Sequence, residues 1–155
     1  MRTLIQRVKS ASVTVQNKTV GKIADGLCIL VGIEPSDTAK DLEWMAQKII
    51  HLRIFEDENG KMNKSLFDTG GAVLLVSQFT LLADCVKGRR PSFTQAGNSD
   101  AAAKLFDAFV SIFARQNIKT QTGIFGAHMV VHIDNDGPAT FILQSPQTVN
   151  KELDR

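Results

Sequence analysis

Leu27-Cys28-Ile29-Leu30-Val31-Gly32-Ile33 offers water almost nothing. A strand with one wet face alternates apolar and polar residues, so a run like this one has to be covered on both faces, with Gly26 and Gly32 as its punctuation. Any fold of this chain therefore needs material on both sides of a central strand. A second run, Ala72-Val73-Leu74-Leu75-Val76, makes the same demand after the hinge Gly70-Gly71. It ends by delivering Ser77-Gln78-Phe79-Thr80-Leu81, four hydrogen-bonding or stacking groups, to one spot.

The covering material is also legible. Leu4, Gln6 and Val8, then Ala11, Val13 and Val15, follow period two. Gln16-Asn17-Lys18 supplies a turn before Val20 and Ile23, which predicts an N-terminal β-meander. Leu42, Met45, Ala46, Ile49 and Ile50 recur at helical spacing after Ser36 as N-cap and Asp37 in the first turn, which predicts a helix to about Leu52. Arg53-Ile54-Phe55 reads as a short strand and Asp57-Glu58-Asn59-Gly60 as a turn. After a polar loop from Asp84 to Gly97, a second helix capped by Asn98 or Ser99 carries Leu105, Phe106, Phe109, Val110 and Phe113 on its core face. Three more strands fit Lys119 to Thr122, Met129 to Ile133 and Thr140 to Gln144.

The expected fold is α+β: one domain over residues 1–145, with a β-rich core, barrel-like or two packed sheets, covered by two helices. Residues 146–155 read as a loose tail.

At 155 residues, 43% hydrophobic and 22% charged, the chain matches an ordinary globular domain. A formal charge of +2 leaves any nucleic-acid contact to local clusters. Cys28 sits in an apolar run and Cys85 in a polar loop, so both read as free thiols suited to a reducing compartment. Neither a secretory segment nor an apolar span of about 18 residues is present, which makes cytoplasm the default and a membrane partner unexpected.

Metal chemistry is disfavoured. His128 and His132 would suit zinc on a helix, but on the expected strand they stand about 13 Å apart, too far to share an ion. No metal or other cofactor is expected. Ser77 and Thr80 are possible nucleophiles, yet no base neighbours them in sequence. Strand-end hydroxyls satisfying backbone groups is the simpler reading unless the substrate brings its own activation, as an ester with a vicinal hydroxyl does. Gly137-Pro138, after Asn135-Asp136, reads as a turn, and Lys87-Gly88-Arg89-Arg90-Pro91 as a solvated loop or a phosphate clamp.

Taken together, Ile5-Gln6-Arg7-Val8, Gly60-Lys61-Met62-Asn63, Ser77-Gln78-Phe79-Thr80, Arg90-Pro91-Ser92-Phe93, Thr120-Gln121-Thr122-Gly123, Phe125 with Met129, and Asn135-Asp136-Gly137-Pro138 resemble the D-aminoacyl-tRNA deacylase family, also called D-tyrosyl-tRNA deacylases. The resemblance runs from Met1 to about Gln144. It implies a homodimer with active sites at the subunit interface that hydrolyses the ester joining a D-amino acid to tRNA. It implies that Gly137-Pro138 is a cis peptide inserted into the partner's pocket, with Arg7 helping to hold it. Ser77, Gln78, Phe79 and Thr80 would line the pocket. Phe79 would supply backbone amides near the ester and Thr80 is the suspected catalytic hydroxyl, while Phe125 and Met129 belong to the substrate-binding wall. Ala139 stands where many members carry a larger residue.

On that resemblance, L-esters would be rejected by collision with the rigid motif, glycyl-tRNA would be accepted, and the tRNA 2′-hydroxyl would assist the attack. Lys87, Arg89 and Arg90 are the candidate RNA contacts. Two other readings stay open at the level of sequence: a non-catalytic RNA-binding module using those three cations, and an acyl hydrolase with Ser77 as covalent nucleophile.

Overall fold

The computed structural model of the chain describes residues 1–94, 96 and 99–146. In chain order its elements are β1 (Arg2–Val15), β2 (Lys18–Ile23), β3 (Gly26–Gly32), α1 (Ala39–His51), β4 (Phe55–Glu56), β5 (Met62–Lys64), α2 (Leu66–Thr69), β6 (Ala72–Ser77), a 3-10 turn (Phe79–Leu82), α3 (Ser99–Arg115), β7 (Lys119–Thr122) and β8 (Val130–Gln144).

The two apolar runs become neighbouring parallel strands, β3 and β6, and their alternation feeds two cores at once. Leu27, Ile29, Val31, Val73 and Leu75 face α1 and α3, where Leu42, Met45, Ile49, Phe106, Phe109 and Phe113 meet them. Cys28, Leu74 and Val76 face the other way, against Val8, Ala11, Val13 and Ile23. Each fully buried aliphatic side chain contributes about 1.5–3 kcal/mol. Burial also pushes the Cys28 thiol up to about 12, so it packs as a small apolar group.

The second core exists because the sheet closes on itself. Its order is β2-β1-β3-β6-β7, with β8 paired to β1. β1 is long enough to pair with β3 through Arg2 to Val8 and with β2 from Ala11 to Val15. Gln16 and Asn17, both at positive φ, make the two-residue turn between β1 and β2. β2 then approaches β7 so closely that a Cβ on Gly21 would lie 2.4 Å from the Thr122 carbonyl oxygen. Glycine at that position permits a nearly closed barrel, and the α+β expectation holds with β4 and β5 as a second small sheet and α2 as a third helix.

Three local expectations need correction. α1 is capped by Thr38 and not Ser36, because the Asp41 carboxylate accepts from the Thr38 amide (2.9 Å) and hydroxyl (2.7 Å). Asp37 lies ahead of the helix and pairs instead with the buried α-amino group of Met1, which also donates to Ser145 Oγ at 2.7 Å. That contact ties the start of β1 to the end of β8. Finally, the strands expected at Met129 to Ile133 and Thr140 to Gln144 are one strand, β8, and His128 and Met129 precede it.

Ser99 is the first residue of α3; Asn98 and residues 147–155 of the expected tail lie outside the described residues. Among the described residues no helix is long and apolar enough to cross a membrane.

Candidate active site

Parallel strands end at the same edge, and the ends of β3 and β6 make one wall of a cavity. Val31 pairs with Ser77, and the Gln78 amide donates to the Val31 carbonyl at 2.7 Å. The chain then tightens into the 3-10 turn, which rides directly over Gly32. A Cβ there would meet Leu82 Cγ at 3.2 Å and the Gln78 carbonyl at 3.3 Å. Arg2 pins the turn from below by donating to the Leu81 carbonyl at 2.8 Å.

Two consequences follow for the turn. The first amides of a helical turn, here those of Phe79 and Thr80, have no intrahelical acceptor. Phe79 is also pushed outward, 56% exposed, with its ring edge-on to Phe93 at 5.1 Å. The Thr80 hydroxyl accepts from Gln78 Nε2, and an amide is no base, so nothing here prepares that oxygen as a nucleophile.

The cavity measures about 620 Å³. It brings together Ser77, Gln78, Phe79, Phe125 and Met129 but not Thr80, and adds Phe93, Ala102 near the start of α3, and His128, whose sequence context suggests no role beyond a disfavoured metal ligand. Mostly apolar walls with a few polar groups at one end suit a small organic ligand. His128 is the one ionisable side chain among the residues lining it.

Arg7, Gly137 and Pro138 lie elsewhere. Opposite Gln6 and Val8 of β1, β8 pairs through Thr140 and Asn135, so four residues of β8, Asp136 to Ala139, stand opposite Arg7 alone. A bulge of that size throws the Gly137-Pro138 segment out of the ladder. Lys9 is a smaller bulge on β1, one extra residue between the pairs Val8 with Asn135 and Ser10 with Asp134. It shifts the alternation by one, which is how Val8, Ala11 and Val13 come to share a face.

Arg7 is buried beneath the excursion. Its Nε donates to the Asp136 carbonyl at 3.2 Å and lies 3.1 Å from the Asp136 carboxylate, while Nη1 donates to the Ile54 carbonyl at 2.7 Å. Asn135 Nδ2 returns a bond to the Arg7 carbonyl at 3.0 Å. Gly137 is exposed, and a Cβ on it would sit 2.6 Å from Asn135 Oδ1. Neither Gly137 nor Arg7 lines the 620 Å³ cavity of its own chain.

Lys87, Arg89 and Arg90 project from a loop closed at its base by reciprocal Asp84–Ser92 backbone bonds of 2.8 and 2.9 Å. The Asp84 carboxylate accepts from the Val86 amide at 2.9 Å, and Gly88 turns the tip at φ 73°. All three cations are exposed, and Phe93 at the foot of the loop lines the cavity.

Comparison with known proteins gives a consistent set of relatives. The family model described as D-Tyr-tRNA(Tyr) deacylase matches residues 4–144. A D-aminoacyl-tRNA deacylase of Kosmotoga olearia is 56% identical over 145 residues, 94% of this chain and 97% of the relative. One from Thermosipho africanus is 54% identical over the same shares. Among solved structures, one named c-Myc DNA Unwinding Element Binding Protein superposes with a TM-score of 0.88 at 43% identity, covering 94% of this chain and 99% of that one.

Proposed function

This chain belongs to the D-Tyr-tRNA(Tyr) deacylase family, and on that premise we propose that it hydrolyses the ester of D-aminoacyl-tRNA, releasing the D-amino acid and free tRNA. The observation that carries the reading is a cavity with strand-end polar groups, beside a turn whose first amides have no intrahelical acceptor, and, among the described residues, no base hydrogen-bonded to the Ser77 or Thr80 hydroxyl. Such a site suits a substrate that is already reactive. An aminoacyl ester needs positioning and one or two donors for its developing oxyanion, and a donor of that kind is worth about 2.7–4 kcal/mol. The amides of Phe79 and Thr80 are those donors, Ser77 and Gln78 hold the ester end, and Phe125 and Met129 form the wall.

The chiral gate comes from a second copy of the chain. Gly137-Pro138 stands out from its own barrel and away from its own cavity, so a two-fold partner brings it into use. Beside it runs a strip made by Leu4 opposite Ile142, itself 69% exposed, and Gln6 bonded to Thr140 at 3.3 Å. That uncharged strip is the surface a homodimer would cover. With the α-ammonium held at the inserted motif, an L side chain strikes it, a D side chain points outward, and glycine has nothing to strike.

The test is hydrolysis of matched D-, L- and glycyl-tRNA by pure protein in the cytoplasmic pH range. D- and glycyl esters are expected to be cleaved and L-esters spared by at least about 100-fold. Intact D-ester would leave the RNA-binding module as the reading, and an isolable acyl-enzyme on Ser77 would favour covalent hydrolysis.

The basic loop supports a nucleic-acid substrate. Its three cations are exposed on a loop whose foot, Phe93, lines the cavity, so they are available to the phosphates of a tRNA whose terminal ester is bound there. Replacing Lys87, Arg89 and Arg90 together with alanine should weaken tRNA binding and flatten the slope of log affinity against log salt by about 2–3. A salt slope equal to that of the unaltered protein would remove the loop from the interface.

A further inference from the structure

Gly123 closes β7, where its amide donates to the Leu75 carbonyl at 3.1 Å. Immediately in front of it lies the Met129 side chain. A Cβ on Gly123 would fall 2.5 Å from Met129 Sδ, well inside the distance two non-bonded atoms tolerate, and 3.5 Å from Val13 Cγ1, an ordinary contact. The thioether thus occupies the volume that any side chain at position 123 would need. Behind it is the filled barrel interior, with Val13 wholly buried. In front is the 620 Å³ cavity, which Met129 lines.

We propose that Gly123 is a specificity-determining residue: its bare α-carbon lets Met129 lie back against β7 and so sets the width of the ligand cavity. The role of that cavity rests on the deacylase reading above, whereas the packing relation does not. Gly123 is outside the left-handed region of backbone space, so alanine fits the chain itself, and the obstacle is the far end of a flexible side chain. Methionine turns about three bonds and yields easily. Since the barrel interior has no room, the thioether moves into the cavity. The fold survives and the binding site narrows.

The chain has four methionines, so methyl-labelled methionine gives a spectrum of four resonances, with Met129 assigned by its loss in Met129→Ala. In Gly123→Ala the Met129 methyl should shift while those of Met45 and Met62 stay in place. KM for D-aminoacyl-tRNA should rise at least about fivefold with kcat within about twofold, the pattern of lost ground-state fit. In Gly123→Ala/Met129→Ala the penalty of the alanine at 123 should vanish, leaving the KM of Met129→Ala alone.

An unmoved Met129 methyl, an unchanged KM in an active enzyme, or a penalty at position 123 that persists without Met129 would each overturn the inference. An inactive unaltered protein would overturn the deacylase reading instead. The methyl shift would still decide the packing relation.

Discussion

Replacing Arg7 with alanine will lower kcat/KM toward a D-aminoacyl ester by about 100-fold and the melting temperature by about 5–10 °C. Both effects come from one side chain with two jobs. Arg7 bridges the Ile54 carbonyl and the carbonyl and carboxylate of Asp136, all from a buried position under the β8 excursion. Breaking a wholly buried pair costs about 3–5 kcal/mol; Asp136 is 34% exposed and rehydrates, which brings the cost to about 2–3 kcal/mol. For a chain this long, each kcal/mol shifts the melting temperature by about 2–4 °C.

The catalytic loss follows from position. Without the guanidinium, four residues stand opposite a gap, held by Asn135 and by the exposed Lys9 ammonium 3.5 Å from the Asp136 carboxylate, and a gate displaced by about 1 Å no longer meets its substrate. Lysine should not restore activity, because an ammonium group cannot present the planar fork that reaches both acceptors at once. Steady-state kinetics and a thermal melt on Arg7→Ala and Arg7→Lys decide the matter. Full activity in either would detach the excursion from the chemistry.

What could be read along the chain and what could not divides by range. The doubly buried strands, the turn at Gln16-Asn17 and the core face of α3 depend on residues a few positions apart, so their periodicity carries them. The β8 excursion depends on register against β1, nearly 130 residues away in sequence, and a bulge has no periodic signature of its own. A turn at Gly137-Pro138 and an interruption in one strand look alike locally, which is why one strand read as two. The cap of α1 falls elsewhere for another reason: the sequence reading places it at Ser36 alone, whereas the structure gives the role to Thr38, because Asp41 faces Thr38 and Met1 claims Asp37.

At the site, Ser77 to Thr80 stood out as polar residues after an apolar run, and Phe125 and Met129 only through family resemblance. His128 went unrecognised because its place in the cavity is set by the turn at Gly126, φ 76°, and not by any spacing from the other site residues. The closeness of Gly123 to Met129 is a fact of packing that no pattern announces.

His128 gives the last prediction its force. Removing the 2′-hydroxyl from the terminal adenosine of a D-aminoacyl-tRNA charged on its 3′ oxygen should lower the rate of hydrolysis by about 10²–10⁴, the range ascribed to a positioned acid or base. The cavity has few other ways to move a proton. Ser77 is an unactivated hydroxyl, Gln78 is an amide that donates to the Thr80 hydroxyl just outside the lining, and the remaining described walls are apolar apart from Ser99 and the exposed His128. If the substrate's own hydroxyl orients the water, Thr80→Ala should cost less than about tenfold in kcat, as the loss of one neutral hydrogen bond does. His128→Gln should do the same. Should His128→Gln instead match the loss from the deoxy substrate, with no further loss when the two are combined, the histidine is the base and the substrate's hydroxyl acts through it. A deoxy substrate cleaved at the full rate would exclude substrate assistance and return the burden to the protein's own hydroxyls.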